Sequence, residues 1–210
     1  MTAILQLPLL QVAFETATNE DWRDGLVFAT AGEVVGYAAP SNTGNGTLGD
    51  LATQPGAYIG DYSVALTGPT TFRVSDPDGY LLGSGLLGVP FTRSGLSFTL
   101  LAGAAAFVAG DQLIASVLPT PIDITGLSFR MMVKESLSRA TIDLDASTAN
   151  GMLVNGGTTG VLGLAVPQSS MLKMPPGGLV CDILASGDGV DRRCVTGPIN
   201  HVQGVTLPAL

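Results

Sequence analysis

Two cysteines and a single histidine are the side chains of this sequence best suited to nucleophilic or redox chemistry. Cys181 and Cys194 sit in an alternating stretch, Leu179 to Val195, interrupted by the turn signal Ser186-Gly187-Asp188-Gly189. A two-residue loop at Gly187-Asp188 makes Ser186 and Gly189 a hydrogen-bonded pair, and counting outward sets Cys181 opposite Cys194. That site is a non-hydrogen-bonded one, where facing Cα atoms come closest, so the two cysteines are a candidate cross-strand disulfide. A cytoplasmic history favours two reduced thiols instead. The same register faces Asp182 with Arg193 as a cross-strand ion pair. His201 beside a cysteine would need a third orienting group and an oxyanion site, and the sequence advertises neither. It reads as a surface or packing histidine.

The other polar clusters also have plain readings. Asp76-Pro77-Asp78-Gly79 resembles the opening of a calcium loop but lacks the later acidic ligand, and it suits a tight hairpin turn. Asp143 and Asp145 share one strand face, which is the pattern of a solvated face. Asn45-Gly46-Thr47 fits the glycosylation pattern, which has meaning only in a secreted chain. Trp22, next to the turn signal Asp24-Gly25, is a candidate interface anchor or a core residue folded back. No phosphate loop, dinucleotide fingerprint or zinc-ligand spacing occurs. No catalytic, cofactor-binding or metal-binding residue is assigned, no cofactor is expected, and the chain reads as a non-enzyme.

The elements that would position these residues are strands. Apolar and polar residues alternate with period two in Leu10 to Glu15, Thr71 to Ser75, Leu127 to Lys134 and Thr141 to Asp145. One helical turn is expected at Gln168 to Lys173, closed by Met174-Pro175-Pro176. The class is all-β: a small β-sandwich, Ig-like or similar, with a second small β-domain inserted in a hairpin loop. Leu10 to Thr30 reads as a hairpin of the host, which continues only after a long stretch of different character. The host takes residues 1–35 and 118–210, and the insert takes 36–117, with Pro119 and Pro121 marking re-entry.

Composition narrows the function. Charged residues are 12% of the chain, against about 25% in ordinary domains. A surface so poor in charge is expected to be covered partly by neighbours. The net charge of −8, with scattered basic residues, argues against nucleic acid as a partner. No run is long and apolar enough for a helical membrane span, and Met1 to Leu10 lacks the basic start of a secretory signal. That apolar arm, with Ile4, Leu5 and Leu7, is a candidate interface that adds a strand to a neighbour, or it folds onto its own domain.

Two sets of motifs resemble proteins of tailed bacteriophages. Pro121-Ile122-Asp123-Ile124-Thr125-Gly126, Gly160 to Pro167, Pro175-Pro176-Gly177-Gly178 and Leu179-Val180-Cys181-Asp182-Ile183 resemble, in that order, the small β-sandwich of tail, baseplate and upper-fibre proteins. Leu179 and Cys181 stand where that pattern usually has tyrosines. Asn42 to Gly49, Thr71 to Gly79, Gly95 to Leu100 and Phe107 to Asp111 resemble a module of phage head-decoration proteins. The resemblance implies a non-enzymatic virion structural protein, assembled in the host cytoplasm as a homo-oligomer with other virion proteins. A tail, neck or fibre-attachment adaptor or accessory protein is the first expectation, and a capsid decoration (cement) protein is the alternative. A carbohydrate-binding accessory protein is a third, weakened by the presence of one Trp and four Tyr only.

Overall fold

The computed structural model describes residues 3–206, and the protein is all-β. The first strands are β1 (Leu10–Gln11), β2 (Phe14–Ala17) and β3 (Trp22–Val27). Next come β4 (Ala29–Ala38), β5 (Thr47–Thr53), β6 (Gly60–Leu66) and β7 (Thr71–Ser75). They are followed by β8 (Leu81–Leu86), β9 (Pro90–Arg93), β10 (Leu96–Leu101) and β11 (Gln112–Pro121). The last are β12 (Ser128–Lys134), β13 (Leu144–Ser147), β14 (Leu153–Asn155), β15 (Val161–Val166), β16 (Gly177–Gly187) and β17 (Val190–Val202). Two four-residue helices, α1 (Ala3–Gln6) and α2 (Gln168–Met171), and a 3-10 turn at Gly157–Thr159 complete the set among the described residues. The chain divides into two compact units, residues 1–29 with 121–210, and residues 30–120.

In the host unit one sheet runs β1-β17-β16-β12-β13, with β2 also on β17, and the other runs β14-β15-β3. Alternation explains their facing. Phe129, Met131 and Val133 of β12, Leu179, Cys181, Ile183 and Ala185 of β16, and Leu162, Leu164 and Val166 of β15 all enter one core. Phe28 and Phe129 stack within it at 6.0 Å. Burying each of the Phe, Met, Val, Leu and Ile side chains among them stabilises by about 1.5–3 kcal/mol.

The segment Leu10 to Thr30 is not a hairpin. β1 and β2 join β17 in parallel, Leu10 opposite Val195 and Phe14 opposite Ile199, whereas β3 pairs antiparallel with β15 in the other sheet. Period two assigns a residue to a face and leaves its partner strand open, so a crossover between sheets reads like a hairpin. The apparent turn Asp24-Gly25 lies inside β3, opposite Leu164 and Gly163.

The insert has a five-stranded sheet, β4-β11-β6-β7-β8, and a three-stranded one, β5-β10-β9. They share a second core that includes Tyr62, Val64, Phe72, Phe91, Phe98, Leu100 and Phe107. The division between units falls at 29/30 and 120/121, where the sequence suggested 35/36 and 117/118. Glycine and proline punctuation does not mark it, because the chain changes unit within two continuous strands, β4 and β11.

The loop Asn42 to Gly46 is held by a clasp. Asp111 accepts backbone N–H groups from Thr43 (2.8 Å), Gly44 (2.9 Å) and Val108 (3.0 Å). Asn42 exchanges two hydrogen bonds with the Gln112 backbone, at 2.7 and 2.8 Å. Asn45 accepts from the Ala105 N–H at 2.8 Å, so the side chain of the glycosylation pattern is part of this loop structure. A Cβ at Gly44 would come 2.5 Å from a Phe107 ring carbon, which is why glycine stands there. The motifs at 42–49 and 107–111, far apart in sequence, are the two halves of this clasp.

Candidate functional site

The residues singled out for chemistry are mostly interior. In the β16–β17 hairpin the loop is Asp188-Gly189, both with positive φ (51° and 74°), as the hairpin turn with two left-handed residues requires. Gly187 pairs with Val190, and a bulge beyond Leu184/Arg193 shifts the register so that Cys181 faces Gly197. Cys194 falls at the bulge. The expected pairing of the cysteines is therefore corrected: choosing Gly187-Asp188 as the loop displaced the register, and the bulge displaced it again. Both thiols are free and buried. The Cys181 thiol points to the Gly197 carbonyl (3.5 Å) and the Cys194 thiol to the Ile183 carbonyl (3.4 Å). Burial, then the nearby Asp182, pushes Cys181 up to about 11, and burial pushes Cys194 up to about 12. Asp182 faces Thr196 and Arg193 faces Leu184, so the expected ion pair across the hairpin is not in register either.

His201 is a core residue, 1% exposed. Its Nδ1 meets the Thr16 hydroxyl at 2.8 Å across the parallel β2–β17 pairing. Its Nε2 makes no well-formed hydrogen bond. Burial pushes His201 down, opposed by the nearby Met171 backbone and by Glu20. The histidine's hydrogen-bond partner is Thr16, whereas the thiols meet the Gly197 and Ile183 carbonyls.

Ile4, Leu7 and Trp22, read either as interface anchors or as residues folded onto their own domain, take the second course: they belong to the host core and are 0%, 0% and 3% exposed. Leu5 lies in α1, and its side chain is outside the described residues. The arm folds back as a helical turn because its apolar residues find cover on β16 and β17. Trp22 packs edge-on against Phe14 and donates its indole N–H to Asp24 at 2.7 Å. Asp145 binds Arg130 through two hydrogen bonds (2.9 and 2.6 Å), which hold its carboxyl below the usual range. Asp143 keeps one buried oxygen without a partner. In the β7–β8 loop the Asp76 carboxylate accepts from the Asp78 and Tyr80 N–H groups at 3.1 and 2.8 Å, closing the turn on itself. Among the described residues no group of three or more His, Cys, Asp or Glu side chains is placed to hold a metal ion. No helix among them is long and apolar enough to cross a membrane.

One surface cluster escaped the sequence reading. All four tyrosines, Tyr37, Tyr58, Tyr62 and Tyr80, lie in the insert, and three of them are exposed at 49%, 56% and 72%. The topology gathers them. Tyr58 and Ile59 lead into β6 at Gly60, and the Pro77 ring of the β7–β8 loop covers Gly60, 3.0 Å from where a Cβ would stand. Buried Tyr62 anchors the corner by accepting the Tyr58 N–H at 2.7 Å. Burial pushes its phenol up, the Tyr58 N–H opposes this, and Asp76 adds to it. Tyr37 of β4 reaches Asp61 at 3.4 Å, and its phenol is pushed up by partial cover and by that carboxylate. Leu81, next to Tyr80 at the start of β8, is also exposed (60%). The crowding of tyrosine into one part of the chain was visible in the sequence. That the start of β6 meets the β7–β8 loop, and that Tyr37 reaches Asp61 from β4, required the strand order.

Fold and surface together define an all-β protein of two units, one inserted in the other. No family model matches the sequence, and no curated protein matches it. Among solved structures it is similar to Xanthomonas campestris FlgL in two crystal forms. In space group H3 the identity is 24% over 47% of this chain and 33% of that one, with a TM-score of 0.35. In space group C2 it is 25% over 43% and 30%, with a TM-score of 0.34. The chain thus spans about a third of those proteins, and a superposition at this level assigns neither fold nor function.

Proposed function

We propose that the protein is a non-enzymatic structural component of a tailed-phage virion, an adaptor or accessory protein at the tail, neck or fibre attachment. The observation that carries this reading is the exposed corner of Tyr37, Tyr58, Ile59, Tyr80 and Leu81 on the insert. Exposed aromatic and aliphatic residues gathered on a charge-poor surface are the mark of an assembly contact. The burial of the thiols and of His201 supports the same reading, because it assigns the reactive side chains to packing. The motif resemblances to phage tail and fibre sandwiches supply the kind of particle.

A capsid decoration role is the second reading, favoured by the Asn42–Gly46 and Phe107–Asp111 motifs that form the clasp. Copy number separates the two. Quantitative mass spectrometry of purified particles with cryo-EM should find a few to a dozen or so copies under closed cyclic symmetry. Hundreds of copies following the capsid lattice would replace the adaptor with the decoration role, and absence from particles would end both.

A further inference from the structure

We infer that the tyrosine corner of the insert receives a basic, arginine-bearing segment of a partner protein. The exposed Tyr37 phenol meets the exposed Asp61 carboxylate at 3.4 Å, exposed Tyr58 precedes the Gly60 that Pro77 covers, and exposed Asp78 and Tyr80 belong to the same loop as Pro77. Asp61 is fixed against Tyr37, and Asp78 sits in the loop whose Pro77 covers Gly60 next to Tyr58 and Ile59. The contributing stretches, residues 30–39, 57–62 and 76–81, contain Glu33, Asp61, Asp76 and Asp78 and no Lys or Arg. A guanidinium is the group these features match, because it stacks flat on a phenol and donates paired N–H groups to a carboxylate. A neutral saccharide would use the phenols too, but it gives no reason for a corner whose charges are all negative. Tyr62 and the Asp76 turn hold the corner rigid, which limits the entropy lost on docking.

This inference rests on the reading of the protein as an assembly component. It is tested on the purified full chain, so its failure is distinct from a failed copy-number measurement. The probe is a fluorescein-labelled peptide of alternating glycine and arginine, titrated by anisotropy and by amide NMR shifts. The comparison ligands are the same peptide with glutamine for arginine, and a maltooligosaccharide. Binding should need arginine and perturb amides around 37, 58–61 and 76–81. Tyr58→Ser with Tyr80→Ser leaves the net charge unchanged and should weaken binding about tenfold, as two exposed cation–π contacts would. Asp188→Asn with Asp191→Asn, in the host hairpin, removes two negative charges that are not part of the corner and should leave it within about twofold, since the contact is made by the corner's own groups. Wild-type affinity in the tyrosine variant would overturn the inference, as would a uniform loss with every acidic substitution. Saccharide-specific shifts at the corner without peptide binding would overturn it in favour of a glycan.

Discussion

Substituting Phe72 and Gly85 singly and together gives a measurable consequence of how the insert's core is packed. Phe72 on β7 is fully buried, its ring centroid 6.0 Å from Phe91 and 5.7 Å from Phe98. Gly85 is its register partner on β8, and a Cβ there would come 2.5 Å from the Phe72 Cε2. Phe72→Ala is expected to cost about 3–5 kcal/mol. Gly85→Ala alone should cost about 1–3 kcal/mol, because the ring is confined by its two neighbours and cannot swing away. In the Phe72→Ala background that overlap is gone. The new methyl then fills part of the cavity, worth about 0.8 kcal/mol. Alanine also restricts the unfolded chain relative to glycine, worth about 0.4–1 kcal/mol. The same substitution should therefore stabilise by roughly 1–2 kcal/mol there, a coupling of about 2–5 kcal/mol between the sites. The chain carries its own reporters: all four tyrosines are in the insert and the only tryptophan, Trp22, is in the host. Urea unfolding read by tyrosine near-UV circular dichroism follows the insert, and Trp22 fluorescence follows the host. The Trp22 midpoint should hold, since the two cores share no buried residue. Effects that add within about 0.5 kcal/mol would refute the contact.

Three further outcomes follow from the titratable groups. His201 has a native value below its unfolded 6.5, so the unfolded chain binds the extra proton and stability falls as pH drops from about 6.5 toward the native value. The Trp22 midpoint should therefore decline over that window in the wild type and flatten in His201→Gln, and equal slopes would contradict the burial assignment. With thiols at about 11 and about 12, the thiolate fraction at pH 7 is on the order of one in ten thousand or less. Labelling by a disulfide reagent should run at least about a hundredfold slower in the native protein than in urea, and fast native labelling would show an exposed thiol. The N–H groups of Thr43, Val108 and Gly44 hold the Asp111 carboxyl below its usual range, so its contribution is complete above 3.8 and lost as pH falls through the lower native value. Asp111→Asn should lower the urea midpoint of the tyrosine signal at neutral pH and flatten its acid limb, and a neutral-pH midpoint equal to wild type would mean the clasp contributes nothing.

Much of the local structure was legible in the residues. Phe129, Met131 and Val133 enter the core as their alternation indicates, and Gln168 begins a helical turn where Pro167 allows one. The β16–β17 hairpin was visible too, but its register was not. Ser186-Gly187-Asp188-Gly189 offers two adjacent two-residue loops, and only the positive φ of Asp188 and Gly189 selects between them. The bulge at Cys194 left no mark in the sequence at all, because it arises where the register passes from Leu184 opposite Arg193 to Ile183 opposite Val195. The tyrosine corner is similar. Residues 58 and 80 come together because β6 begins beside the β7–β8 loop, and Tyr37 on β4 reaches Asp61 of β6 with its long side chain, which no local pattern encodes.

The sequence by itself determined the all-β class, the inward faces of its strands and the scarcity of surface charge, because these depend on residue type and on a period of two. Tertiary structure decided which strands pair, sending β1 and β2 to β17 and β3 to β15, and so set the burial of Trp22, Ile4 and Leu7. It also decided the partners of the cysteines and the assembly of the tyrosine corner. The physical reason is common to all of these: a strand's hydrogen-bonding edges are chemically the same for any partner. The choice among partners is made by how side chains distant in sequence fill one core.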